Sequence, residues 1–94
     1  MKVQWSRLAL RDFDSAFEYV TQTNPDGIAP VLARIDAAVA ALPQHPQIGR
    51  PGRVDGTREL VVVGTPFIIA YRIRRDSIEI LAMIHGARRW PERC

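Results

Sequence analysis

The chain of 94 residues holds a single cysteine, Cys94. A disulfide framework within one chain is therefore excluded, and a reducing compartment fits. Cys94 is read as an incidental thiol rather than a nucleophile. Long apolar runs are lacking too. None approaches the roughly 18–20 residues that span a bilayer, so no membrane partner is expected. Met1-Lys2-Val3-Gln4-Trp5 is not followed by an apolar core of roughly 7–15 residues, so no signal peptide is expected and the cytoplasm is the expected location. Repeats, linkers and low-complexity tracts are missing. The length fits one domain over 1–94, with the thin stability margin of a small core.

What is present is ordinary globular composition, 47% hydrophobic and 24% charged. The net charge is +3, unevenly placed. Residues 1–46 carry four basic and five acidic side chains, whereas residues 47–94 carry nine arginines, no lysine and five acids. The basic half is thus built from a side chain whose rigid fork grips carboxylate and phosphate. An acidic protein and a nucleic acid both suit such a surface, and so does simple solubility.

Val3 and Trp5 alternate in a short strand, and Ser6 is placed to cap a helix from Arg7 to about Thr21. Leu10, Phe13, Phe17 and Val20 form its apolar stripe, with Asp12, Asp14 and Glu18 toward the polar side. Thr23-Asn24-Pro25-Asp26-Gly27 breaks the chain. A second stripe follows at Ile28, Val31, Leu32, Ile35, Ala38, Val39 and Leu42. Pro30 requires that this helix start near Ile28, and the pair reads as an antiparallel hairpin.

Residues 43–57, with Pro43, Pro46, Gly49, Pro51, Gly52 and Gly56, read as a loop. Three strands follow. In Arg58–Val63, Leu60 and Val62 oppose Glu59, Val61 and Val63. In Phe67–Ile73, residues Phe67, Ile69, Tyr71 and Ile73 share a face. In the last, Ile78, Ile80, Ala82 and Ile84 oppose Glu79, Leu81, Met83 and His85. Short turns between them imply antiparallel pairing. The order β-α-α-β-β-β, a helix hairpin on a small antiparallel sheet, is an α+β fold.

Three stretches resemble the RelE/ParE toxin family, ParE-like branch. They are Val3–Ser6 running into Ala9-Leu10-Arg11-Asp12-Phe13, Ile48–Arg53 leading into Gly56-Thr57-Arg58-Glu59-Leu60, and Ile80-Leu81 through His85-Gly86-Ala87-Arg88-Arg89-Trp90-Pro91. The resemblance covers nearly the whole chain. It implies the toxin of a type II toxin–antitoxin system, neutralised by a cognate antitoxin, of the kind tied to plasmid stabilisation. RelE-like members cut messenger RNA on the ribosome, and ParE-like members poison DNA gyrase. The family fold does not choose between these targets.

The RNA-cutting relatives keep an arginine three positions before the aromatic residue of the third strand. Aligned on Tyr71, that position is Ile68, which cannot neutralise a phosphate. The lysines of RelE align at Glu59 and Val61. A metal-free nuclease here would need Glu59 as base, His85 as acid, and Arg72, with Arg58 and Arg88, as phosphate contacts. The plain alternative pairs Glu59 with Arg72 as surface ions and leaves His85 at a strand end.

Gyrase inhibition needs a presented surface rather than a catalytic set. Arg50, Arg53, Arg58, Arg72, His85, Arg88, Arg89 and Trp90 are the residues expected to supply it, Trp and Arg being frequent binding anchors. Leu8, Ala9, Ala16 and Tyr19 lie off the first helix stripe and are expected to stay exposed for the antitoxin. Gly49-Arg50-Pro51-Gly52-Arg53 lacks the GKS/T ending of a phosphate loop, and His45 has no second ligand near it, so neither cofactor nor metal is expected. DNA is expected to be reached only through the antitoxin. The leading expectation is a gyrase-binding toxin. A ribosome-dependent endonuclease and a non-toxic antitoxin-binding co-repressor are the alternatives.

Overall fold

Alternation and helical spacing translate directly into the order of elements. A computed structural model describes residues 1–86. It contains β1 (Lys2–Trp5), α1 (Arg7–Thr23), a short 3-10 turn (Pro25–Gly27), α2 (Ile28–Ala41), β2 (Arg50–Pro51), β3 (Arg58–Val61), β4 (Phe67–Ile73) and β5 (Ser77–His85). The sheet order is β1-β5-β4-β3-β2.

Ser6 starts α1 as expected, its hydroxyl accepting the Ala9 N–H at 3.0 Å. Pro30 falls in the first turn of α2, where its missing N–H has no partner to lose. β3, β4 and β5 pair antiparallel, as their short connections dictate. The β3–β4 turn is tight, with Gly64 at φ +81°, a conformation that favours glycine.

Three details differ from the expectation. First, β1 joins β5 in parallel, so the sheet is mixed. Second, the loop contains β2, whose Arg50 and Pro51 oppose Glu59 and Arg58. Pro51 is tolerated because β2 is an edge strand. Third, β5 carries a bulge. Ala70 pairs with Ala82 but Tyr71 pairs with Ile80, which leaves Leu81 as an extra residue. The alternation of β5 therefore inverts midway. Ile78 and Ile80 join the helix-side core, Met83 joins them across the bulge, and Ala82 and Ile84 turn to the opposite face.

The main core lies between helices and sheet, around Tyr71, Ile69, Ile78, Ile80 and Leu42. The outer face of the sheet holds a smaller buried cluster of Ile68, Ala70, Ala82 and Ile84. α1 reaches the sheet through small residues. Ala9 is 0% and Ala16 is 8% exposed, and Val20 is buried with them. Leu10 and Phe17, expected in the apolar stripe, stay about half exposed. Alanines one heptad apart let the helix backbone approach β5, and larger side chains at those positions would hold it off.

Candidate functional site

Two surfaces carry the polar and apolar features that fold alone does not require. One is the outer face of the sheet and the other lies between the helices.

On the outer face, Glu59 of β3 is 2% exposed. A carboxylate so deeply placed needs partners. Arg50 reaches its Oε1 at 3.4 Å, while the Arg53 backbone N–H and Nε reach Oε2 at 3.1 and 3.4 Å. Both arginine side chains stay open to solvent, at 60% and 42% exposure. A second cluster lies nearby, where Arg72 and Arg74 share Glu79 at 2.8 and 3.5 Å. The expected cross-strand pairing of Glu59 with Arg72 is thus replaced, among the described residues, by two separate clusters of two arginines and one glutamate. Register explains it. Glu59 lies opposite Ala70, and Arg72 lies opposite Glu79.

The loop bearing Arg50 and Arg53 is anchored from below. The Tyr71 hydroxyl donates to the Pro46 carbonyl at 2.7 Å and accepts the Gly49 N–H at 2.9 Å. Burial raises the Tyr71 hydroxyl above its ordinary value, with the Gly49 bond and the Arg58 charge acting the other way. Glycine is required at 49, because a Cβ would fall 2.8 Å from the Tyr71 hydroxyl and 2.9 Å from the Glu59 carbonyl. Arg58 donates to the carbonyls of Gly49, at 2.7 Å, and Gln47, at 3.4 Å. Arg58, expected on a target-binding surface, therefore works as a brace for the loop.

Among the described residues, the expected nuclease set does not come together. Glu59 and Arg72 face outward from the sheet, whereas His85 lies on the helix side. Its ring meets Tyr19 of α1 and Phe67 edge-on, at 5.2 and 5.6 Å. The bulge at Leu81 turns it there. Ile68, the position that the family resemblance aligns with an arginine of RNA-cutting members, is sealed in the apolar cluster of the outer face at 8% exposure. Arg88, Arg89 and Trp90 lie outside the described residues, as does Cys94.

Beside His85, a cleft of about 130 Å³ is lined by Asp12, Ser15, Tyr19, Phe67 and Met83. Asp12 Oδ2 accepts the Met83 N–H at 3.0 Å. That N–H lies past the end of β1, where β5 has no strand neighbour to receive it. Burial raises the Asp12 carboxyl above its ordinary 3.8, and the Met83 bond partly offsets this.

Between the helices, a groove of about 460 Å³ is lined by Trp5, Leu10, Phe13, Leu32, Ile35 and Val39, with Asp36 as its one charged residue. Of the 14 residues of α2 only Ile35 is buried. Leu8 and Tyr19 are exposed on α1 at 47% and 44%, and Tyr19 also meets the His85 ring. Ala9 and Ala16 are not available, since they form the seam between α1 and the sheet. Hydropathy ranks leucine and phenylalanine above alanine, which sets the phase of α1 wrongly. Leu10, which lines the groove, escapes the sequence reading as a partner residue for that reason. Among the described residues no group of three or more His, Cys, Asp or Glu could hold a metal ion. Among them, too, no helix is long and apolar enough to cross a membrane.

Known proteins resemble this chain in sequence and in fold. A Sinorhizobium fredii protein named "Putative toxin Y4kP" is 46% identical over 91 residues, 97% of this chain and 94% of its own length. The solved chromosomal ParDE toxin–antitoxin system from P. aeruginosa contains a chain 27% identical. It superposes with a TM-score of 0.82 over 90% of this chain and 95% of its own. A YoeB/ParE toxin from Agrobacterium tumefaciens shares the fold at 15% identity and a TM-score of 0.60, over 90% of this chain and 98% of its own. Residues 3–90 match the family described as ParE toxin of type II toxin–antitoxin system, parDE, and the chain belongs to that family.

Proposed function

We propose that this ParE-family toxin arrests growth by binding and poisoning DNA gyrase in the cytoplasm, and that a cognate antitoxin neutralises it. The observation that carries the reading is the position of Ile68. It is packed with Ala70, Ala82 and Ile84 where an RNA-cutting relative needs a cation. His85 lies across the sheet from Glu59 and Arg72, so a base, an acid and a charge stabiliser do not converge on one substrate position. A surface that binds rather than reacts fits this arrangement, and the ParE branch supplies gyrase as the partner. The antitoxin is assigned to the groove between α1 and α2, whose mainly apolar lining, with Asp36 among it, suits the face of an amphipathic helix.

The test is titration of the purified chain into a gyrase supercoiling reaction. Dose-dependent appearance of linear plasmid, lost in Arg88→Ala/Trp90→Ala, supports the reading and locates the contact near the C-terminus. A folded preparation that arrests growth in cells but leaves plasmid uncut overturns it. Cleavage of messenger RNA on ribosomes would then be assayed with the same preparation.

A further inference from the structure

We propose that Arg50 and Arg53 form a phosphate clamp that contacts nucleic acid directly, with buried Glu59 as the residue that positions them. This goes beyond the gyrase reading and departs from the expectation that DNA is met only through the antitoxin.

The argument begins with charge. Among the described residues, each outer-face cluster places two guanidinium groups on one carboxylate, so each keeps one unit of positive charge. A guanidinium has five N–H donors, more than its glutamate takes up. The Arg50 and Arg53 side chains are 60% and 42% exposed, whereas Glu59 beneath them is 2% exposed. The cations therefore face solvent and the anion does not. An incoming oxyanion meets the arginines first.

Preorganisation comes next. A long arginine side chain ordinarily loses rotamer freedom when it binds. Here Glu59 holds both, and it also accepts the Arg53 backbone N–H, which fixes the loop itself. Tyr71 and Arg58 fasten the same loop at Pro46, Gln47 and Gly49. Arg58 and Glu59 of β3, with Tyr71 of β4, thus spend their polar groups on presenting Arg50 and Arg53. A fold that needed only a connection between α2 and β3 would not require them.

The second cluster extends the surface. Arg72 sits on the same face as Glu59, two residues along β4 from its opposite partner Ala70, a diagonal of about 7–8 Å. Ala70 and Ala82 lie level with Glu59 and Ile68 and Ile84 lie beyond them, together a buried apolar cluster on this face, while Val61 and Val63 are exposed. The four arginine side chains of the two clusters are 42–60% open to solvent. A ligand held there is held by charge, which describes the backbone of a nucleic acid.

Equilibrium binding of the full chain to a labelled DNA duplex, by anisotropy at several salt concentrations, tests this. Affinity is expected to fall as salt rises. In Arg50→Ala/Arg53→Ala the slope of log affinity against log salt should drop by about 2, one for each phosphate that is no longer neutralised. Arg11→Ala, on the helix side, should leave the slope unchanged. Glu59→Gln gives the sharper result. It makes the chain more positive, so a carboxylate that merely repels DNA predicts tighter binding, whereas a positioning carboxylate predicts weaker binding. If Glu59→Gln does not fold, Arg50→Lys/Arg53→Lys replaces it, since the charge is kept and the fork is lost. Weaker binding with an unchanged slope is then expected. Tighter or equal binding by Glu59→Gln, an unchanged slope in the double alanine variant, or equal binding by the lysine pair overturns the proposal. So does a poly-glutamate competitor that displaces the duplex as well as unlabelled DNA does, which would assign the face to an acidic protein.

Discussion

The Ser6 hydroxyl donates to the Leu81 carbonyl at 3.1 Å, across 75 positions of sequence, while accepting the Ala9 N–H at 3.0 Å. One side chain thus caps α1 and ties it to the bulged residue of β5. The Ser6 N–H adds a bond to the Ile80 carbonyl at 2.9 Å. Ser6→Ala removes the cap and leaves the bulge carbonyl to water. The expected loss is about 1–2 kcal/mol, seen as a fall in Tm of roughly 4–15 °C. A thermal scan in which the variant melts with the native chain would show that the bulge holds without this tie.

Tyr71 offers a second test in the loop. Its hydroxyl satisfies the Pro46 carbonyl and the Gly49 N–H while its ring lies fully in the core. Tyr71→Phe keeps the ring and abandons both partners. A cost of about 1–3 kcal/mol is expected, together with faster proteolysis within residues 46–53. Urea unfolding and limited proteolysis report the two effects. Unchanged cleavage in the loop would mean that Arg58 and Glu59 suffice to hold it.

Asp12 gives a pH dependence with a definite sign. Its folded-state value is raised above the ordinary 3.8, chiefly by burial. Between these two values the folded chain keeps a proton that the unfolded chain has released, so this group's contribution to stability falls as pH rises through the window and is constant above it. Asp12→Asn removes the titration yet leaves an oxygen to accept the Met83 N–H. The variant should therefore match or exceed the native chain at neutral pH, and its advantage should shrink in acid. Asp12→Ala should be the least stable of the three. Urea midpoints at about pH 4 and about pH 7 decide it, and an advantage for Asn that grows in acid contradicts the assignment.

Ile68 offers a test of the proposal that this chain does not cut RNA. Ile68→Arg supplies the cation that RNA-cutting relatives carry. The residue it replaces is buried among Ala70, Ala82 and Ile84, so the charge must be forced into an apolar site at about 2–4 kcal/mol. Because His85 still faces α1, no ribosome-dependent RNA cleavage is expected. Appearance of such cleavage would show that one cation was all that separated the two activities.

The order of elements was legible because α2 and the last three strands carry strong periodicity and are cut by Pro and Gly or, between β4 and β5, by the polar run Arg74-Arg75-Asp76. The bulge was not. In Ile78-Glu79-Ile80-Leu81-Ala82-Met83-Ile84, both alternating sets are largely apolar beyond Ile80, so an extra residue leaves no mark in the pattern. That one residue decides which side of the sheet His85 occupies. Glu59 was legible as a notable carboxylate but not as a buried one. Its burial depends on a loop that bends back through β2, and neither alternation nor helical spacing describes such a loop.

The groove between the helices yields the last prediction. Leu10 is 51% exposed, yet it lines the groove with Trp5, Phe13, Leu32 and Val39. An exposed leucine contributes little to folding, so Leu10→Glu should change stability by no more than about 0.5 kcal/mol. The same charge, placed in a mainly apolar groove that already holds Asp36, must be desolvated beside a like charge when a partner helix covers it, which costs far more. The variant should therefore remain folded and growth-arresting, while co-expressed antitoxin rescues it poorly. Calorimetric titration with the cognate antitoxin is expected to show at least about tenfold weaker binding, equivalent to about 1.4 kcal/mol. Full rescue and native affinity would move the antitoxin away from this groove, to the exposed Leu8 and Tyr19 side of α1 or to the sheet.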